Sequence, residues 1–497
     1  MNIKKIFFYT LCFFVTYIHA TEKQFHLSNG WFPNDAEKLE KKLDELQIVA
    51  QTNYAATVQK GSVPAVIVPH AGIKYSGAVA SAVYQQAHNS VKTIIILTPD
   101  HAGKVSGVAL PLFDPYAIPT GTLSVNTNVV KKLSEQPFFN FNDSAFYREH
   151  SLEIQLPFIK KFFKHVNIVP LIVGKINCAQ AKLIATELTP YINKKTLVVV
   201  SSDFVHYGKR FNYTPFDDHQ QLRIRHLNSH AIELIEHGTC APFANFVQKT
   251  GATICGANPI KILLSLLELN AFGNVEPRFI AYDTSSKSDT DNVVSYVGML
   301  FTTQKLASLP HEQQLTQYEK TSLLTEAHDV LNHLHDEHFM PTLYYPIKSF
   351  GLKQAKGAFT TFDTADDKLR GCIGRIITSG PLYKTVADVT IDTALKDTRF
   401  SPVTKEEVPS LKLKLSILDQ PKKVKGYKNI IIGKHGIILK SNGKSAVFLP
   451  EVPIDFKWNL QQTLTRLTKK AQLPADIWKT DDAQFEVFTT FDIQKKK

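Results

Sequence analysis

Five side chains able to bind a metal or move a proton share one kind of position in this sequence. His70 ends the apolar run PAVIVPH and enters AGIKYSG. His101 follows TIIILTPD, and Asp203 and His206 lie in SSDFVHYG, directly after TLVVV. Cys255 lies in TICGANP, ahead of a predicted helix. Each marks a predicted strand end or the turn after it, and open α/β sheets gather their ligands at the carboxyl ends of strands. Two neutral imidazoles, His70 and His101, with the thiolate of Cys255 make a three-ligand set suited to iron, copper or zinc. Such a set leaves positions open for water, dioxygen or substrate. Asp203 would then orient a ligand and His206 would serve as acid and base. His150 and Glu153, in REHSLEIQLP, form a further polar pair on a predicted helix start that Ser151 could cap. Tyr207, beside His206, is a pocket residue. Spacings this wide carry no metal signature of their own, unlike HExxH. A histidine after a strand also serves as hydrogen-bonded structure, and a buried cysteine as a small apolar residue.

The elements that must hold these groups are legible as hydrophobic runs. Pro64–Pro69, Thr93–Thr98, Asn167–Val173 and Thr196–Val200 are short, branched and almost uncharged, the pattern of strands covered on both faces. Ala78–Ala87, Ala179–Leu188 and Gln221–His237 are predicted helices between or after them. Strand–helix alternation over residues 24–302 predicts an α/β layered domain. Residues 303–318 (TQKLASLPHEQQLTQY) read as a linker into a helix over Thr321–His335. A second domain then spans 319–492. Its predicted strands are Gly357–Phe362, Leu411–Leu418 and Asn429–Leu439, an α+β pattern.

The second domain has its own marked segment, LRGCIG at Leu369–Gly374. Gly371 and Gly374 permit close backbone approach or positive φ. Arg370, near Cys372, could lower that thiol's pKa and make it reactive. The competing reading is a glycine-bearing turn around a structural cysteine.

Composition bounds these readings. The chain has 497 residues, enough for two or three domains, and is 43% hydrophobic and 21% charged, which supports packed cores rather than disorder. Five cysteines exclude a disulfide scaffold. At the start, Lys4 and Lys5 precede the uncharged run Ile6–Ile18, and Ile18-His19-Ala20 offers a small-residue cleavage site. This is the order of a secretory signal over residues 1–20, so the expectation is a periplasmic or secreted protein without stable membrane insertion. The run falls short of the about 20 residues that span a bilayer. Export would expose Cys178 and Cys240 to oxidation, and a bridge between them is one open pairing. The net charge of +12 raises nucleic acid and anionic membrane as partners. Lys422, Lys423, Lys425, Lys428, Lys434, Lys440 and Lys444 lie between Asp419 and Glu451 without an acid. All are lysines with one aromatic, Tyr427, among them. That fits a solvated face better than a specific nucleic-acid reader.

The motifs GWFPND (Gly30–Asp35), PHAGIKYSG (Pro69–Gly77), PDHAG (Pro99–Gly103), HSLEIQLPF (His150–Phe158), SSDFVHY (Ser201–Tyr207) and TICG (Thr253–Gly256) occur in order. Together they closely resemble the Memo family, named for ErbB-driven cell motility and in bacteria called AmmeMemoRadiSam system protein B. The resemblance implies a fold similar to the class III extradiol dioxygenases, which use non-haem iron. It also implies two His and one Cys as metal-binding residues, falling here on His70, His101 and Cys255. His206 matches the dioxygenases' catalytic base, with Asp203 beside it. Where the family commonly has Asn before the second histidine, this chain has Asp100. In the second domain, GAFTTF, LRGCIG, DTRFSPV, KHGIIL and FLPEVP resemble the AMMECR domain, AmmeMemoRadiSam system protein A. Its candidate site here is Arg370, Cys372 and His435, with Cys372–His435 as a nucleophile pair to examine. The system's name points to a radical SAM protein as partner, although this chain lacks CxxxCxxC.

The expectation from these readings is a metal-binding protein, with iron or copper and redox or dioxygenase-type chemistry on an unidentified small molecule or peptide. The rivals are a non-catalytic binding protein on a degenerate dioxygenase fold and a zinc-dependent hydrolase.

Overall fold

The four apolar runs become four adjacent parallel strands at the centre of one sheet. The computed structural model describes residues 21–494 apart from 29, 55–61, 88–89, 288, 304–314, 338 and 377. The expected signal and most of the expected linker lie outside the described residues. In the first domain the strands are β1 (Ala65–Val68), β2 (Thr93–Pro99), β3 (Val108–Leu110), β4 (Tyr116–Ile118), β5 (Gly121–Val125) and β6 (Phe139–Phe141). They continue as β7 (Asn167–Val173), β8 (Thr196–Ser201), β9 (His206–Tyr207), β10 (Glu276–Thr284) and β11 (Val293–Thr302). The main path runs β10-β11-β1-β8-β2-β7-β3-β6. The pairs β1–β8, β8–β2 and β2–β7 are parallel, and β11 closes on β1 antiparallel. Every residue of β1 and β8 is buried, as expected for strands covered on both faces by helices.

The covering helices match the predicted ones with one shift. Cys178–Leu188 and Gln220–Glu236 fall within one residue of expectation, whereas the helix predicted at Ala78–Ala87 runs over Ile73–Tyr84. Its early first turns carry Gly77, a weak helix former whose cost packing offsets. A disulfide joins Cys178 to Cys240, tying the helix Cys178–Leu188 to the helix Cys240–Thr250.

The second domain is α+β, built on two four-stranded sheets. Its strands are β12 (Gly357–Asp363), β13 (Leu369–Arg375), β14 (Lys412–Leu418), β15 (Lys422–Val424), β16 (Gly436–Ser441), β17 (Lys444–Phe448), β18 (Gln484–Phe488) and β19 (Thr490–Gln494). The sheets are ordered β13-β12-β14-β19 and β15-β18-β16-β17. The helix expected from Thr321 starts at Gln317, inside the expected linker, because Thr316 and Glu319 form a reciprocal capping box. The strand expected from Asn429 starts only at Gly436. Residues 431–435 form a turn in which the Lys434 and His435 amides both donate to the Ile431 carbonyl, and Gly433 has φ +79°.

The two domains share an interface. Tyr318 packs against Tyr54 and Phe279. Arg225 pairs with Asp329 at 3.4 Å, Lys353 with Glu236 at 2.8 Å, and Lys348 with Glu233. Beside them Glu326 is fully buried, and neither carboxyl oxygen has a hydrogen-bond partner.

Candidate metal centre

His70, His101 and Cys255 meet where adjacent strands end. His70 lies two residues past β1, His101 two past β2, and Asp203 two past β8. Cys255 comes in on the turn before the helix Ala257–Glu268. One ligand atom from each of His70, His101 and Cys255 lies within 4.8 Å of the others, and Cys255 Sγ sits 3.1 Å from His70 Nε2. The turn after Cys255 must approach β8 closely. A Cβ at Gly256 would lie 2.2 Å from that of Ser202, and the Gly256 amide donates to Ser202 Oγ.

Hydrogen bonding fixes which nitrogen of each histidine faces the centre. Ser201 Oγ spends its proton on the Ser151 carbonyl and accepts from Gln155 Nε2. It can therefore only accept from His70 Nδ1, 2.9 Å away, leaving the His70 Nε2 lone pair toward Cys255. His101 Nδ1 lies 2.8 Å from Glu149 Oε1 and the His101 amide donates to Glu149 Oε2, so Nε2 is the free ligand nitrogen. His206 Nδ1 faces two acceptors, the carbonyls of Phe204 and Thr253 at 2.8 and 3.0 Å. It must carry its proton there, and Nε2 keeps a lone pair able to take one. A histidine fixed by a carboxylate or backbone acceptor on its far nitrogen is the usual support for a metal ligand.

Electrostatics matches this arrangement. Burial, then the nearby His150, His101 and His206, pushes His70 down and keeps it neutral. Burial and the charge of His101 press His150 down to about 4, against the pull of Glu149. Burial opposes ionisation of Glu149, but hydrogen bonds from His101 and Ser151 outweigh it and hold the carboxyl below its ordinary value. Burial, with the carboxyl of Asp203 adding to it, pushes the Cys255 thiol well up. Without a cation it stays protonated at neutral pH, and a bound metal removes that proton outright. The residues therefore fit a metal ion.

The remaining expected residues divide. Asp203 is buried and its carboxylate accepts from the His70 amide at 2.7 Å, so it fixes the backbone of a ligand. His150 joins the centre, its ring 4.3 Å from that of His101 and 4.7 Å from Trp31. With His101 and Glu149 it makes a second, overlapping donor group. Glu153 instead serves the N-terminal segment, accepting from the amides of His26 and Leu27 and from the Tyr116 hydroxyl. Tyr207 donates to the Phe216 carbonyl and stacks on that ring. Ser151 does not cap its helix. The cap is Glu149, which accepts from the Ser151 amide. Glu149, Ser201 and Gln155 escaped sequence reasoning. A Glu directly before His150 was the available signal for the first. Asp100 holds the turn after β2 by accepting from the Ala102 and Val105 amides.

In the second domain the expected pair does not form. Cys372 lies on β13 and takes a hydrogen bond from Thr361 Oγ1 at 3.3 Å. His435 precedes β16 on the other sheet, and its Nδ1 accepts from the Ile431 amide. Among the described residues no hydrogen bond joins Cys372 to His435. Arg370 is held in a two-pronged pair with Glu407, not aimed at the thiol. Asp397 accepts from the Cys372 amide and from Arg399, whose guanidinium holds its carboxyl well below the usual range.

Comparison with known proteins matches the sequence to a family. Residues 26–300 match the Memo-like proteins and residues 312–493 match AMMECR1. The Caenorhabditis elegans Protein memo-1 homolog is 35% identical over 256 residues, covering 48% of this chain and 73% of that protein. Xenopus laevis Protein MEMO1 is 32% identical and Homo sapiens Protein MEMO1 30%, each covering 54% of this chain and 93% of the relative. Among solved structures, an uncharacterized Pyrococcus horikoshii protein, PH0010, is 28% identical over 34% of this chain and 88% of its own, with a TM-score of 0.32. The mixed α/β sheet, with His70, His101 and Asp203 gathered at strand ends, is consistent with the dioxygenase-like fold that the Memo-like motifs imply. The chain belongs to the Memo-like family and carries an AMMECR1 domain behind its Memo-like one.

Proposed function

We propose that the first domain binds one iron or copper ion and carries out oxygenase-type redox chemistry on a small organic molecule. His70 Nε2, His101 Nε2 and Cys255 Sγ would hold the ion, which when bound supplies electron exchange and Lewis acidity that side chains lack. The observation that carries this reading is the Cys255 thiol 3.1 Å from His70 Nε2, with His101 converging on the same point. A nucleophilic Cys–His pair needs one imidazole. Two imidazoles around one thiol fit a cation in place of its proton.

The chain's own residues account for the rest. His206, half-buried and with Nδ1 tied to two carbonyls, takes a proton from substrate at Nε2. Trp31 and His150 line the approach. Asp203 fixes the His70 backbone. Glu149 and Ser201 set the two ligand tautomers. The Cys178–Cys240 bridge supports an oxidising compartment, in line with an export signal at residues 1–20.

Elemental analysis of the purified chain tests the reading. One iron or copper per chain is expected, lost in Cys255→Ser, with oxygen uptake on loading. Zinc with no oxygen dependence would replace it by hydrolysis with His206 as base. A metal-free chain that still binds ligand would leave a binding protein.

A further inference from the structure

Far along the chain from the metal centre, the second sheet of the AMMECR1 domain carries large apolar side chains in solvent. Ile431 is 52% exposed, Ile454 54% and Phe456 63%. They belong to one surface. Ile454 lies over Gly433, where a Cβ would sit 2.9 Å from Ile454 Cδ1, so the 431–435 turn and the helix Glu451–Asp455 are in contact. Phe456 stacks on Trp458 at 4.8 Å, and Trp458 packs against Phe448 at 5.7 Å. Cations sit on the same rings. The Arg466 guanidinium is 4.4 Å from the centre of Trp458, and Lys470 Nζ is 5.0 Å from that of Phe448.

The charge around this surface is one-sided. Between Gln420 and Lys470 there are ten Lys and one Arg against two acids, Glu451 and Asp455, a net +9 where the whole chain has +12. Lys425, Lys428, Lys434, Lys457 and Lys469 are exposed. Exposed apolar groups at turns, aromatic rings and a surrounding field of lysine are the parts of a peripheral membrane contact. The apolar groups enter the headgroup region, while lysine, a hydrated point charge, is drawn to anionic lipid without needing a fixed partner geometry. Protein hot spots and base readers favour Arg. Among the described residues no helix is long and apolar enough to cross a membrane, so the contact would be peripheral.

We propose that Ile431, Ile454, Phe456 and Trp458, with the lysines around them, form a docking surface for an anionic bilayer. The test is sedimentation of the full chain with phosphatidylcholine vesicles, with and without phosphatidylglycerol, at low and high salt. The uncharged run Ile6–Ile18 is common to all variants, so the difference between variants is the readout. Wild type is expected to prefer the anionic vesicles and to lose that preference in high salt. The double variant Ile454→Ser/Phe456→Ser is expected to bind about tenfold more weakly, and Lys434→Glu/Lys457→Glu by a similar factor. All four positions are exposed, and unchanged melting will show the variants folded. Equal binding of wild type to both vesicle types overturns the proposal, as does wild-type binding by both variants. Binding to a single-stranded oligonucleotide instead of vesicles, lost in the same variants, overturns it in favour of stacking on nucleic acid.

Discussion

Glu149 holds His101 twice, accepting from its backbone amide at 3.0 Å and from Nδ1 at 2.8 Å. One buried carboxylate thereby sets the position of the chain, the tautomer of the ring and the direction of its free nitrogen. Because His101 is the most exposed of the three candidate ligands, it depends most on this outside support.

Glu149→Gln keeps the shape and removes the charge. Metal affinity is expected to fall about 10–100-fold by chelator competition, as for other partners of ligating histidines. Melting of the metal-free chain should change far less than metal affinity. An equal loss in both would mean that Glu149 only supports the fold.

Metal binding should release the Cys255 proton near neutral pH. His70 is pushed down and already neutral there, whereas the Cys255 thiol is pushed up and must ionise. Displacing the Cys255 proton is expected to raise affinity about tenfold per pH unit between pH 6 and 8. In Cys255→Ser that slope should flatten together with the loss of tight binding. Competition titrations at three pH values decide it.

His206→Asn should separate proton transfer from metal binding. The Asn amide can still donate to the carbonyls of Phe204 and Thr253, replacing His206 Nδ1. Metal content is expected to stay near wild type, while metal-dependent oxygen uptake falls about 10²–10⁴-fold, the usual value of a positioned base. Loss of metal in this variant would instead place His206 among the ligands.

The meeting of His70 and His101 is legible because strand ends are legible. β1, β2, β7 and β8 are runs of branched apolar residues, and period and length alone identify such strands. His70, His101, Asp203 and His206 then follow the runs directly, whereas Cys255 follows the helix Cys240–Thr250 and not the strand end expected of it. What the sequence hid was lateral. Nothing in the spacing tells that Ser201 turns its proton toward Ser151, or that Glu149 rather than Glu153 faces His101. Those facts depend on which neighbouring strands and helices lie alongside, and on a helix at His150–Glu153 only four residues long. Asn429–Leu439 misled for a local reason. Its run of Ile looks like a strand, yet Gly433 at positive φ bends the chain before Gly436. Cys372 and His435 make no hydrogen bond because Cys372 lies on β13 of one sheet and His435 in the turn before β16 of the other, an arrangement that no linear motif encodes.

Glu326 gives a stability prediction with a definite sign. Burial pushes its carboxyl well up, more than Arg225 pulls it down. A carboxyl raised in the folded state stabilises folding in its protonated form, below its ordinary range. That contribution is lost as pH rises toward the raised value. Glu326→Gln keeps the shape and cannot ionise. Its melting temperature is expected to exceed wild type by more at pH 8 than at pH 5, with a gain of about 1–3 kcal/mol at the higher pH. An equal difference at both pH values would rule out titration of Glu326 as the cause.

The glycines of LRGCIG are accounted for by packing, and Gly374 makes that testable. Gly374 stands opposite Phe359 in the β12–β13 pairing, and a Cβ there would lie 2.1 Å from Phe359 Cγ. A methyl group on the edge strand β13 at that place must displace the aromatic ring of Phe359 on the neighbouring strand β12. Gly374→Ala is therefore expected to destabilise the second domain by about 1–3 kcal/mol, the range for overpacking. Cys372→Ser keeps the size of the side chain and the Thr361 contact, so it should cost less than Gly374→Ala. Hydrogen exchange in β12 and β13 reads both. Faster exchange in Gly374→Ala, with the metal content of the first domain unchanged, is the expected result. A Cys372→Ser variant as unstable as Gly374→Ala would show that the sulfur, rather than the glycines beside it, holds this strand in place.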